Sequence, residues 1–237
     1  MNQFIQDLKE WNIVLSEDQL ILFDKYKDLL LEWNEKINLT AITDIDEIYK
    51  KHFLDSLSLV KCIDNLSEEK YSILDMGTGA GFPGIPLKIV FPDLNITLAD
   101  SLNKRIDFLN LVIDELKLDG INAIHARAED LAHDNQYREQ YNIVVSRAVA
   151  NLSVLSEYCL PFVQVDGVFV SYKSGNSSEE ISSSKNAIGM LGGKLINTFD
   201  FCLPNSDYSR SNVYIKKIKS TEERFPRKAG TPSKKPL

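Results

Sequence analysis

Apolar residues recur at helical spacing through the first 65 positions of the chain. Ser16 and Gln19 make a capping box, and Leu20, Phe23, Leu30, Trp33 and Ile37 form one apolar stripe behind it. Polar residues at 34–43 interrupt the helix. Asp44 with Glu47 marks another helix start, and 53–63 continues in helical period. From Tyr71 the pattern changes to short apolar runs alternating with helical stretches. The runs at 73–74, 95–99, 121–126, 142–146 and 167–173 read as strands. Those at 84–91, 104–118 and 151–162 read as the helices between them, with Ile106, Leu109, Val112, Ile113 and Leu116 on one inner face. A serine-rich stretch, 174–184, reads as an interruption before a helix at 185–191. Two last strands, 194–201 and 212–218, have a short connection and read as an antiparallel edge hairpin. The alternation predicts an α/β, doubly wound, mostly parallel sheet behind a helical layer. The expected divisions are a helical cap at 1–66, a sheet domain at 67–220 and a tail at 221–237, extended by Pro226, Pro232 and Pro236.

Between the first strand and its helix stands Asp75-Met76-Gly77-Thr78-Gly79-Ala80-Gly81-Phe82-Pro83-Gly84. Glycines there let backbone approach a nucleotide-like ligand closely. Two patterns fit. Gly79, Gly81 and Gly84 satisfy the dinucleotide fingerprint G-x-G-x-x-G, which implies hydride transfer. Asp75, Gly77, Gly79 and Gly81 satisfy the acidic-x-G-x-G-x-G pattern of S-adenosylmethionine enzymes, which implies methyl transfer.

Ligands of such sheets bind at the carboxyl ends of the strands. That rim would hold Asp75, Asp100, Ala128, Glu129, Arg147 and Lys173. Asp100, 25 positions after Asp75, suits a carboxylate that accepts both ribose hydroxyls; its alternative role is a helix N-cap. A pyrophosphate favours a helix N-terminus free of acids. Asp75 and Glu129 suit a sulfonium and an ammonium group instead. Pro83 and Pro86, read into the first helical turn, leave fewer N–H donors for phosphate. The residues therefore favour the methyl donor over the dinucleotide.

Composition adds little until it is divided along the chain. The net charge is -7, but the stretch 216–237 carries +6 and residues 1–215 the remaining -13. A basic tail on an acidic body can dock on phosphates, which makes Arg224, Arg227, Lys228, Lys234 and Lys235, with Arg147 and Lys173 on the rim, candidate phosphate ligands. Cys62, Cys159 and Cys202 lack metal or disulfide spacing and read as free thiols of a cytoplasmic protein. No signal peptide or membrane helix is expected, and His52, His125 and His133 read as structural or surface residues.

The run 75–87 resembles the signature of the ribosomal RNA small-subunit methyltransferase G family, also called glucose-inhibited division protein B. So do Asn38-Leu39-Thr40, His52-Phe53-Leu54-Asp55-Ser56-Leu57, Ala126-Arg127-Ala128-Glu129, Ser146-Arg147-Ala148 and the tail from Pro226 to Pro232. Ala229 stands where that pattern calls for proline. The resemblance implies a class I methyltransferase fold, S-adenosylmethionine as cofactor, and transfer to N7 of a guanine in the 530 loop of bacterial 16S rRNA. It implies cofactor contacts at Gly77, Phe82, Ala128, Glu129 and Arg147, joined by Asp75, Gly79, Gly81 and Asp100 from the reading above. Its partner would be 16S rRNA or the small subunit, met by a monomer without metal. Guanine N7 has a lone pair and no proton to lose, so no catalytic base is expected; Arg147 and Lys173 are candidates for orienting the substrate. The alternatives are a nicotinamide oxidoreductase and a non-catalytic RNA-binding assembly factor.

Overall fold

The computed structural model describes residues 1–147, 150–175 and 177–237. Ala148, which closes the Ser146–Ala148 segment, and Asn176, within the serine-rich stretch, lie outside the described residues. Helices come first: α1 (Asn2–Lys9), α2 (Glu17–Ile37) and α3 (Ile45–Glu47). The last continues into a wider turn, Ile48–Leu54, and a tight one, Leu57–Lys61. The sheet region follows as β1 (Ser72–Met76), α4 (Gly84–Val90), β2 (Asn95–Asp100), α5 (Asn103–Leu116), β3 (Ile121–His125), α6 (Ala128–Leu131) and β4 (Tyr141–Arg147). Then come α7 (Leu152–Cys159), β5 (Val163–Ser174), α8 (Ser178–Met190), β6 (Gly193–Cys202), β7 (Ser209–Lys217) and α9 (Thr231–Lys234).

Seven strands form one sheet in the order β3-β2-β1-β4-β5-β7-β6. The first five are parallel, and β7 joins β5 antiparallel with β6 outside it. The order reverses between β1 and β4, which opens a crevice at their carboxyl ends. Ile73 and Leu74 face opposite sides of the sheet, and both are fully buried because helices cover each face. Phe4, Phe23, Leu30 and Phe53 of the helical layer share one continuous core with Ile73, Ile85, Leu98 and Val170 of the sheet region.

Local signals explain most boundaries. Ser16 accepts the Gln19 N–H while the Gln19 side chain accepts the Ser16 N–H, closing the capping box. Asn38, in the left-handed region, ends α2 a few residues after the expected break began. Asp44 caps α3 through the Glu47 N–H. The inner face of α5 adds Phe108, and Ile113 is only partly buried.

One expectation fails. Residues 178–184 are helical, so α8 starts well before the expected Lys185. Ser183 and Ser184 donate their hydroxyls to the Glu180 carbonyl, so both are satisfied within the helix. Ile181, Ala187 and Ile188 supply the buried face.

Candidate functional site

The glycine loop is held together from beneath. Asp75 is fully buried at the end of β1, and its Oδ2 accepts the Thr78 hydroxyl at 2.7 Å and the Gly84 N–H at 2.8 Å. Burial pushes its carboxyl up to about 6, against those two bonds and the Arg147 charge. Asp75 is the staple of the loop, and its side chain does not line the cavity above it. Gly81 does not line the cavity either. At φ +99° it is packed between α4 and α2, where a Cβ would fall 2.4 Å from Ile85 and 2.9 Å from the Tyr26 hydroxyl. Gly84 is packed as tightly against the sheet, where a Cβ would fall 2.3 Å from Leu98. Pro83 precedes the first residue of α4, so only Pro86 lies within its first turn.

Gly77 and Gly79 do reach the cavity, both with positive φ. Space is open where a Gly79 side chain would stand. The cavity has a volume of about 1190 Å³ and sits over the crevice between β1 and β4. Asp100, almost fully buried, accepts the Gly79 N–H at 3.0 Å, the Leu102 N–H at 3.0 Å and the Arg105 guanidinium at 3.1 Å. It is not the N-cap of α5, which is Leu102. Ala128 and Glu129 open α6 on the same wall.

Across the cavity, Arg147 ends β4. Its guanidinium carbon lies 5.0 Å from the centre of the Phe82 ring, and it bridges to Asp55 at 3.2 Å. Asp55 also holds Arg210 at 3.0 Å. Lys173 donates to the Ala150 carbonyl at 3.0 Å and to Glu180 at 2.7 Å. Asp55, Arg210, Arg105 and the pair Thr40–His52 are cavity residues that motif reading did not assign. The signal for three of them was present: they lie in the Asn38–Thr40 and His52–Leu57 segments.

The tail is not an extended arm. Phe225 and Pro232 are buried, and residues 231–234 form a helical turn. Arg138 donates to the Thr221, Glu222 and Phe225 carbonyls at 2.8, 3.1 and 2.9 Å. Arg227 forms a two-pronged ion pair with fully buried Glu157, at 2.7 Å for the shorter arm. The Gly230 N–H donates to Glu129 at 3.0 Å, and Ala229 and Gly230 line the cavity. Of the five tail cations, Arg227 is therefore committed within the fold and Arg224 pairs with Glu222, while Lys228, Lys234 and Lys235 are exposed.

A doubly wound sheet with an antiparallel edge strand and a glycine loop at its switch point defines the class I methyltransferase fold. Solved structures agree on the fold. A Galdieria sulphuraria protein assigned as a sarcosine dimethylglycine methyltransferase superposes with a TM-score of 0.55, at 11% identity over 75% of this chain and 89% of that one. M. jannaschii TYW2, in complex with AdoMet, gives 0.50 at 17% identity over 64% and 71%. The sequence goes further. Residues 19–205 match the family model described as rRNA small subunit methyltransferase G. The protein of that name from Lachnoclostridium phytofermentans is 52% identical over 99% of this chain and 96% of its own length. That from Lactococcus lactis subsp. lactis is 47% identical over 100% and 98%. The chain belongs to the rRNA small subunit methyltransferase G family. Its relatives support an rRNA methyltransferase, and the hydride-transfer reading of the glycine loop is set aside.

Proposed function

We propose that the protein transfers a methyl group from S-adenosylmethionine to N7 of a guanine in the 530 loop of bacterial 16S rRNA. The observation that carries this reading is the family match over residues 19–205, set on a cavity whose glycine-loop wall suits that cofactor. The fit rests on three features. Gly79 leaves open space beside bare backbone, Asp100 offers a buried carboxylate, and Glu129 brings a second one to the same wall. Gly77, Gly79, Phe82, Asp100, Ala128, Glu129 and Arg147 would hold the cofactor. When bound, S-adenosylmethionine supplies an electrophilic methyl group on a positively charged sulfur.

What the residues must do is position. N7 needs no deprotonation, and the histidine on the cavity wall is unsuited to it. Burial and the Arg147 charge hold His52 down to about 3, so its ring is neutral. Lys173 is occupied by Glu180 and a carbonyl. In-line placement is then the main contribution of the protein. Lys228, Lys234 and Lys235 remain the proposed phosphate contacts, with Arg224 beside them; Lys173 acts by holding Glu180, and Arg227 by tethering the tail.

The test is transfer of labelled methyl to small-subunit rRNA from a strain lacking the enzyme, supplied naked and as subunits. Cleavage chemistry specific for N7-methylguanine should map one site, in the 530 loop. No incorporation into either substrate, or label elsewhere, overturns the reading. RNA binding without any transfer would point to an assembly factor instead.

A further inference from the structure

The proposed function gives no cofactor contact to the segments Asn38–Thr40 and His52–Leu57, yet Leu39, Thr40, His52 and Asp55 line the cavity. Thr40 organises them. Its N–H donates to Asn34 Oδ1 at 2.8 Å, and its hydroxyl oxygen accepts the Ile42 N–H at 3.0 Å. The same hydroxyl is 2.7 Å from His52 Nε2. The His52 ring in turn lies parallel to Phe82, 4.6 Å between centres and 14° between planes. Leu39 and Ile42 extend this wall.

The wall lines the same cavity as Gly77, Gly79, Asp100 and Glu129, which the proposed function gives to the cofactor. A cavity of about 1190 Å³ exceeds the usual range for one small ligand, roughly 300–1,000 Å³, and leaves room for a second group. The wall is apolar and aromatic, and it is uncharged at His52. Of the nearby charges, Arg147 and Arg210 share Asp55, and Lys51 pairs with Glu47. A flat aromatic surface of this kind receives a planar base by stacking. A neutral ring also suits a purine that becomes cationic on N7-methylation, which a protonated histidine would oppose.

Resting on the proposed function, we propose that Leu39, Thr40 and His52, with Phe82 behind the His52 ring, form the seat of the acceptor purine. His52 presents the surface against which the base lies, and Thr40 is a positioning residue that fixes the ring.

The test has a kinetic arm and a binding arm. His52→Ala should lower kcat on small subunits by about 100-fold, the scale of a misplaced reacting group, with the RNA KM and the cofactor Kd within about twofold. His52→Phe keeps the stack and should recover most of that loss. Thr40→Val should lower kcat by about tenfold in protein that remains folded at the assay temperature, and Thr40→Ser should match the parent. In the binding arm, GMP is titrated into protein saturated with S-adenosylhomocysteine, and the ring protons of the three histidines are followed by NMR. The His52 signal, identified by its loss in His52→Phe, should shift while His125 and His133 stay. An unchanged kcat in His52→Ala, a loss that follows cofactor affinity or the unfolding midpoint, or a His52 signal blind to GMP overturns the seat. A shift in His52 from a protein that methylates no rRNA keeps the purine seat and removes the proposed function.

Discussion

The glycine loop and the C-terminal tail border the same cavity but are held differently. The loop has a local staple, Asp75 to Thr78 and Gly84, three and nine positions away, beside longer ties from Asp100 to Gly79 and from Tyr26 to Ala80. The tail is tied to distant chain: Arg227 to Glu157, Phe225 to Arg138 and Gly230 to Glu129, separations of 70, 87 and 101. Loop geometry follows from local chemistry, chiefly glycines at positive φ over a buried acceptor. Tail geometry follows from a buried carboxylate that needs a partner, because an unpaired Glu157 in that position would be costly. The loop is therefore expected to tolerate little change in itself, and the tail little change in what it touches.

The largest effect should come from filling the loop. Gly79→Arg places a side chain in the open space of the cavity and is expected to abolish cofactor binding by calorimetry. The fold should survive, losing only about 1–2 kcal/mol for a left-handed non-glycine residue. Next is the tail's anchor. Glu157→Ala leaves the Arg227 guanidinium and N–H without their acceptor, and denaturant unfolding should show a loss of about 3 kcal/mol. An effect near zero would mean that the tail does not depend on the pair.

Deleting 228–237 separates the two jobs of the tail. It removes the Gly230 bond to Glu129, so cofactor Kd should rise roughly fivefold, about 1 kcal/mol. It also removes three lysines, so the salt slope of RNA binding should fall by about 2. A change in the salt slope alone would make the tail a purely electrostatic arm.

A further effect is a pH slope at the aromatic wall beside the loop. His52 is depressed from 6.5 to about 3 by burial first and by Arg147 second. Between those values the unfolded chain binds a proton that the folded protein refuses, so stability falls as pH drops below 6.5. Asp75, raised from 3.8 to about 6, acts in the opposite sense over part of that window. The difference between the parent and His52→Phe isolates the histidine: the variant should lose less stability from pH 6.5 to 4. Parallel curves would show that His52 does not titrate as its surroundings require.

Much of the fold was legible because period reports burial. The five parallel strands and the edge hairpin were expected where they occur, since strands covered on both faces stand out as apolar runs. The helix α8 was misjudged because serine satisfies its hydroxyl on a carbonyl one turn back, a bond no composition reveals. In the site, Gly77, Gly79, Asp100, Ala128, Glu129, Arg147 and Lys173 share the cavity as expected from strand ends. Asp75 and Gly81 lie beneath the cavity wall, because acidic and glycine positions of such a loop also serve its inside.

Sequence by itself determined the alternation of strands and helices, the glycine loop after β1 and the family. All three rest on local patterns or on a long, specific run of residues. Only the tertiary structure decided that Asp75 points inward, that Thr40 and His52 meet beside Phe82, and that the basic tail is pinned by Glu157 and Glu129. Those facts depend on which distant groups share a low-dielectric interior, where an unpaired charge or donor is expensive enough to fix its partner.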